Sequence, residues 1–316
     1  MKKSIPQIVK EIKNFKPPNL EYAYQKQISF SQFSIYHQCP HRWAVAYRDG
    51  NFISESSINT TFGTAIHNII QKYLSVVYEK SGAEADRMDL EELFEDELKT
   101  QYRIDYEKNG KKHFSNSEEL NEFYEDGLEI LKYLKKNRKN YFDQKGVHFI
   151  GAEIPLMLAP NPKYNNVIYK GYLDLIFYYE KSNIIKIIDI KTSTRGWRDY
   201  EKKDPIKTSQ LLLYKKFLSD LFNFPIDNIS IEYLILKRKL PETTEFHIKR
   251  FQTFTPSDGK TSINKAIKNL DNFISDVFNR DGTFILNKEY EKLPSKFNCG
   301  YCPFSKSPLC GSAILE

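Results

Sequence analysis

The spacing of apolar positions changes twice along the chain. In FGTAIHNIIQKYLSVVY (62–78) Ile66, Ile69, Ile70, Tyr73 and Leu74 recur at the spacing of an amphipathic helix. Residues 84–108 and 116–142 carry the same period and predict two further helices, joined by a polar segment around Asn109-Gly110. After Gly146 the pattern becomes that of strands: VHFIGAEIPLMLA, then VIYKGYLDLIFYY, then IIKIIDIKT. The last two runs are separated by the polar turn Glu180-Lys181-Ser182-Asn183, and the three together predict a meander. A helix follows from about Thr208 to Phe222, then strands near 229–237 and 245–254, then a helix near 260–278. Upstream, ISFSQFSIYHQCPHRWAVAYRDG reads as a helix running to Tyr47 and capped by Ser31 or Ser34, with Pro40 kinking or breaking it. Residues before about Gln27 read as a weakly structured leader holding a short surface helix that ends at Pro17-Pro18. The order implies an α/β core over residues 28–316, one domain, with a helical insertion at about 80–145.

Two acidic residues interrupt the meander where it should be most buried: Asp174 in the second run and Asp189 in the third. A carboxylate in such a place is costly unless it is paired or holds a metal. Asp189 and Lys191 are two apart, so strand geometry puts both side chains on one face, with their Cα atoms roughly 6–7 Å apart. A carboxylate and an ammonium together at a strand end suit a metal ion and a group that offsets transition-state charge. A plain salt bridge explains Asp-x-Lys equally well when it is taken alone.

At 316 residues, 40% of them apolar and with few Gly and Pro, the chain can bury one large core. No apolar run approaches the ~20 residues that span a bilayer. The N-terminal MKKSIPQIVKEIKNF has no apolar stretch of the signal-peptide kind, so a cytoplasmic protein is expected. The net charge of +6 is concentrated: Lys181–Lys239 holds 13 Lys/Arg against 7 Asp/Glu. A basic side around Asp189 suits a phosphate-rich partner. By contrast, Glu84–Glu97 is acidic and reads as a solvated helix face.

The four cysteines form a second constellation. Cys299, Cys302 and Cys310 stand at C-x2-C-x7-C spacing near one end, and Cys39 lies 260 residues before the first of them. In a reducing compartment such a set points to a metal site rather than to disulfides. Tetrahedral zinc and an iron–sulfur cluster both accept four thiolates, and spacing does not separate them.

Taken together, these segments resemble the RecB-like branch of the PD-(D/E)XK nucleases in its four-cysteine iron–sulfur form, which includes the CRISPR-associated exonucleases and the nuclease domain of AddB. Tyr36-His37-Gln38-Cys39-Pro40 resembles the segment of the first cluster ligand, and Gly63-Thr64-Ala65-Ile66-His67 the metal-binding histidine motif. Gly171-Tyr172-Leu173-Asp174 and Asp189-Ile190-Lys191 resemble the second and third motifs, and Gln210-Leu211-Leu212-Leu213-Tyr214 the Q-x-x-x-Y helix. Cys299, Cys302 and Cys310 resemble the C-terminal cluster ligands within a segment at 297–311.

The resemblance implies a restriction-endonuclease-like core, a mixed sheet flanked by helices, whose N- and C-terminal parts are stapled by a 4Fe–4S cluster, with zinc as the alternative occupant. It implies that His67, Asp174, Asp189 and the Ile190 carbonyl bind Mg²⁺ or Mn²⁺ and that Asp174, Asp189 and Lys191 are catalytic. Gln210 and Tyr214 would contact the substrate strand or the lysine, or simply pack on the sheet. Arg195 and Arg198 would contact phosphate, Trp197 could stack on a base, and Glu153 could stand behind the metal ligands. The implied activity is a DNA exonuclease acting in recombination, repair, replication or end processing on single strands or duplex ends. A structure-specific endonuclease of the same fold, a non-catalytic DNA-binding module and a zinc-stapled structural protein remain open. No G-x-x-x-x-G-K-[ST] occurs, so unwinding would need a helicase or a recombination or adaptation partner.

Overall fold

The computed structural model describes residues 6–17, 26–51, 53, 56–142, 144–241 and 248–311. Its centre is a six-stranded mixed sheet: β1 (Lys26–Ile28), β2 (Val147–Leu158), β3 (Val167–Tyr179), β4 (Ile184–Ser193), β5 (Ile229–Lys237) and β6 (Phe251–Phe254). β2, β3 and β4 form the expected meander, with both pairings antiparallel. β4 pairs in parallel with β5, which the helix between them makes possible, and β6 closes that edge antiparallel. Only Phe251–Phe254 of the strand expected at 245–254 is formed; residues 242–247 lie outside the described residues.

Helices cover both faces, which is why β3 and β4 read as nearly continuous apolar runs rather than as alternating ones. On one face, α1 (Gln7–Lys13), α2 (Phe30–Gln38) and α3 (Pro40–Trp43) bury Val9, Ile12, Phe33 and Trp43 with Ile185, Ile187 and Tyr233 of the sheet. On the other, α4 (Ile58–Glu79), α5 (Gly82–Asp86), α6 (Leu90–Lys108) and α7 (Ser117–Tyr141) bury Ile66, Phe94, Leu131 and Leu134 with Leu175, Phe177 and Ile188. The segment expected as an insertion therefore supplies one layer of the core. The helix expected at 84–108 is two helices, because Asp89 caps α6 through the amides of Glu91 and Glu92.

After β4 come α8 (Asp199–Lys202) and α9 (Pro205–Phe222), then α10 (Lys260–Val277) behind β6 and α11 (Lys296–Gly300) in the cysteine segment. α9 begins earlier than its apolar pattern, at Pro205, because Asp204 caps it and proline suits the first turn.

Two further details differ from the sequence reading, and a third follows its expectation at Pro40. α1 is not merely a surface helix: Val9 and Ile12 are buried in the first core, and β1 joins the sheet in parallel with β3, so Gln7–Lys13 and Lys26 belong to the fold. Ser29, not Ser31 or Ser34, caps α2, accepting from the Gln32 amide. The helix stops at Cys39, whose backbone is extended; Pro40 then starts α3, which passes into a π-helical turn at Ala44–Arg48.

Strand register creates the feature on which the site depends. Tyr169 pairs with both Ile28 and Leu158, and Leu175 pairs with both Ile188 and Ala152. β2 thus runs along one edge of β3, while β1 and β4 share the other. Between them, Lys170–Asp174 has no strand partner on that side. The sheet forks there.

Candidate active site

Asp174 ends the open stretch of β3. Its Oδ2 accepts a hydrogen bond of 2.7 Å from the Ile190 amide, replacing the strand partner that β4 has just lost. The N–H and C=O of a strand residue leave on the same edge, so the Ile190 carbonyl also faces this fork. One residue away, Asp189 is 1% exposed, and Lys191 Nζ lies 2.7 Å from its Oδ2. The Lys191 ammonium is the partner that meets this otherwise unpaired buried oxygen.

α4 brings two more groups. Ser57 caps this helix in a reciprocal capping box with Thr60, and a Cβ on Gly63 would lie 3.5 Å from Thr192 Oγ1 at the end of β4. One turn further, His67 Nδ1 stands 3.8 Å from Asp174 Oδ2. One more turn on, Gln71 Nε2 donates to Glu153 Oε1 at 2.8 Å and to the Asp174 carbonyl at 3.3 Å. Gln71 was not singled out in the sequence, although its i+4 spacing from His67 marks the same helix face. Glu153 lies opposite Asp174 in a β2 distorted by a register shift, with a φ of +50°. Left-handed backbone at a non-glycine residue is costly and is characteristic of functional sites.

The electrostatics follow from burial. Desolvation lifts the Asp174 carboxyl to about 6, and Glu153 adds to the rise against Lys191 and the Ile190 amide. Asp189 is likewise lifted to about 6, chiefly by burial, with Asp174 adding to it and Lys191 opposing. His67 is lowered to about 4 by burial and by Lys191, which keeps the imidazole neutral at physiological pH. Burial works against the charge on Lys191, but Asp189 and Asp174 outweigh it and its pKa is raised. A buried and a half-buried acid, a neutral imidazole and an inward carbonyl, faced by the single ammonium of Lys191, form a donor set short of positive charge. That set fits a hard divalent cation. Among the described residues no three His, Cys, Asp or Glu side chains are drawn together into a finished metal-ligand group.

The remaining candidates divide. Tyr214 is 4% exposed, and its hydroxyl accepts from Gln210 Nε2 at 3.1 Å and from the Tyr172 amide. It fills the fork from below and packs against Gly171, where an added Cβ would meet its Cε1 at 2.9 Å. Of the two readings of Tyr214, packing on the sheet is the one the contacts favour. Arg195 and Arg198 are exposed in the loop after β4. Trp197 is 5% exposed, packs at a tilt against Tyr233 and is held by Gln252 through both its amide and its carbonyl, so it offers no face to a base.

At the other end of the fold, Cys39, Cys299, Cys302 and Cys310 line one cavity of about 20 Å³, together with Arg42 and Phe304. Burial pushes the Cys302 thiol up, and the neighbouring Cys39 and Cys310 thiols add to the rise. Asn298 Nδ2 donates to the Gln38 carbonyl at 2.8 Å, which docks α11 against the end of α2.

A fork between antiparallel strands carrying Asp174 on one branch and Asp189-Ile190-Lys191 on the other is the arrangement of a nuclease. The chain belongs to the PD-(D/E)XK nuclease superfamily, whose family model matches residues 27–310. Nucleases of this superfamily typically use Mg²⁺ or Mn²⁺. Among curated proteins none matches the chain. No helix among the described residues is long and apolar enough to cross a membrane.

Proposed function

We propose that this protein is a metal-dependent DNA exonuclease of the RecB-like, four-cysteine type. The observation that carries the nuclease reading is the meeting of Asp174, Asp189 and Lys191 with His67 where β3 and β4 part. Asp174, Asp189, the Ile190 carbonyl and His67 would hold Mg²⁺ or Mn²⁺, which supplies an activated water and a polarised phosphate when bound. Lys191, its charge secured by Asp189 and Asp174, is placed to offset the negative charge that grows on the phosphate during attack. The Gln71 amide fixes Glu153 beside Asp174, and neutral His67 offers a lone pair rather than a competing positive charge. The preference for DNA ends over internal positions rests on the RecB-like resemblance, and a helicase or recombination partner would supply unwound strands.

We further propose that the four cysteines hold a 4Fe–4S cluster with a structural task. That all four cysteines line one cavity, far in sequence from the catalytic strands, supports that reading.

The test is a nuclease assay on end-labelled single- and double-stranded linear DNA and on closed circles, with Mn²⁺ or Mg²⁺. Cleavage confined to molecules with ends is expected, and Asp189→Ala and Lys191→Ala should abolish it while the protein stays folded. Full activity in anaerobically purified Asp189→Ala would overturn the assignment, and rapid cutting of circles would replace the exonuclease by an endonuclease.

A further inference from the structure

The open stretch of β3 presents an aromatic residue that packing does not explain. Tyr172 is 42% exposed, and among the described residues it is the one exposed large apolar side chain of the sheet. Burial alternates along this part of the strand. Tyr169, Gly171 and Leu173 are buried, whereas Lys170, Tyr172 and Asp174 face the less covered side. Tyr172 is therefore two residues from Asp174 on the same face, with Cα atoms roughly 6–7 Å apart. Lys170 Nζ lies 5.6 Å from the centre of the Tyr172 ring. Across the pair, Pro155 stands opposite Tyr172 and Met157 opposite Lys170, both only partly buried. The core layer of α4–α7 reaches Ala152 and Leu175 but includes neither Tyr172 nor its neighbours. Beneath it, the Tyr214 hydroxyl meets the Tyr172 amide, which holds the backbone in place.

We infer that Tyr172 and Lys170 form a platform for single-stranded DNA leading to the catalytic fork. A base unstacked from its neighbours lies on the Tyr172 ring, and Lys170 contacts a phosphate. The inference rests on the nuclease reading and deepens it. An aromatic face beside a cation is the pairing that sequence-tolerant single-strand recognition uses. A duplex keeps its bases stacked on one another and gives Tyr172 nothing to bind, so the platform selects single strands or frayed ends.

The experiment measures binding of fluorescent 12-mer oligonucleotides to the full-length protein by anisotropy in Ca²⁺, together with KM and kcat in Mn²⁺. Tyr172→Ala should weaken single-strand binding roughly 5- to 100-fold, the range of one base–aromatic stack. Tyr172→Phe should bind like wild type, and duplex affinity should not change. An oligonucleotide with one abasic position, moved stepwise from the cleaved end, should show one register at which wild type and Tyr172→Ala bind alike. Lys170→Ala should weaken binding and flatten its salt dependence without altering the abasic pattern. Equal binding by wild type and Tyr172→Ala, or an equal loss for duplex and single strands, overturns the platform. Should Tyr172→Ala melt early, Tyr172→Leu keeps the bulk without the ring, and wild-type affinity in Tyr172→Leu is equally fatal. The nuclease reading fails separately, through a wild-type protein that cuts no DNA with either metal.

Discussion

Replacing Asp174 by asparagine should make the metal-free protein more stable, although it disables the site. The Asp174 carboxyl stands at about 6 in the folded chain against 3.8 for an ordinary aspartate, mainly because burial removes it from water. At about 1.4 kcal/mol per unit, that difference amounts to about 3 kcal/mol held against the native state at pH 7.5. Asparagine carries no charge and keeps an oxygen for the Ile190 amide. The weaker hydrogen bond of a neutral acceptor is already contained in that difference, because the Ile190 amide lowers the folded value. The net gain is about 3 kcal/mol, or several degrees in melting temperature. The sign with pH follows from a folded pKa above the unfolded one. The penalty is complete above about pH 6 and vanishes below about pH 4, where both states are protonated, so wild type should close the gap as pH falls through that window. Adding Mn²⁺ at about a thousand times its dissociation constant should stabilise wild type by about 4.1 kcal/mol and Asp174→Asn by much less, inverting the order. Thermal melts by circular dichroism in chelator and in Mn²⁺, between pH 4 and pH 8, read all three effects. If Asp174→Asn melts below wild type in chelator at pH 7.5, with a gap indifferent to pH, the carboxylate is not a strained cation ligand and the electrostatic reading of the fork is wrong.

Three further outcomes are expected. Gly171→Ala puts a Cβ 2.9 Å from Tyr214 Cε1 and 3.2 Å from its hydroxyl, so it should cost about 1–3 kcal/mol in chemical denaturation and slow cleavage; an unchanged unfolding midpoint would mean that Tyr214 moves freely. Neutralising Arg195 and Arg198 together should weaken DNA binding across all sequences and make its salt dependence shallower, checked by titrations at several salt concentrations; a loss limited to particular sequences would contradict backbone contact. Cys310→Ser should remove the absorbance near 400 nm of anaerobically prepared protein, lower its melting temperature and reduce activity indirectly, whereas stoichiometric zinc without iron in the wild type would refute the cluster.

The strands and the helices at 205–222 and 260–277 were legible because each carries a sustained period bounded by polar residues. The carboxylates and Lys191 stood out for an equally simple reason: charge inside apolar runs demands an explanation. What escaped is what depends on partners distant in sequence. Val9 and Ile12 look like two apolar residues in a polar leader until the sheet is there to receive them. The three residues of β1 cannot be told from a loop without β3 beside them. Tyr214 reads equally as a substrate contact or as packing until Gly171 and the Tyr172 amide are seen to meet it. The left-handed Glu153 leaves no trace in sequence, and nor does the nearby register shift between Phe149 and Gly151, since a register is a property of two strands together.

The closure of the chain's beginning onto its end carries a consequence for how the protein is made. Trp43 is fully buried, its ring packed at 5.6–5.7 Å from those of Phe273, Phe284 and Tyr290. Tyr36 donates to Asp276, and Arg48 to the Lys288 carbonyl. None of these partners exists while the first half is being translated. At about 5–20 residues per second, roughly ten to fifty seconds separate the emergence of Trp43 from that of Tyr290. Throughout that interval the ribosome-bound chain displays an unfinished aromatic surface and a Cys39 thiol whose three companions are still unwritten. The nascent chain is therefore exposed to aggregation until residues 273–290 emerge, and a group held jointly by the four cysteines could be taken up only once Cys310 has been made.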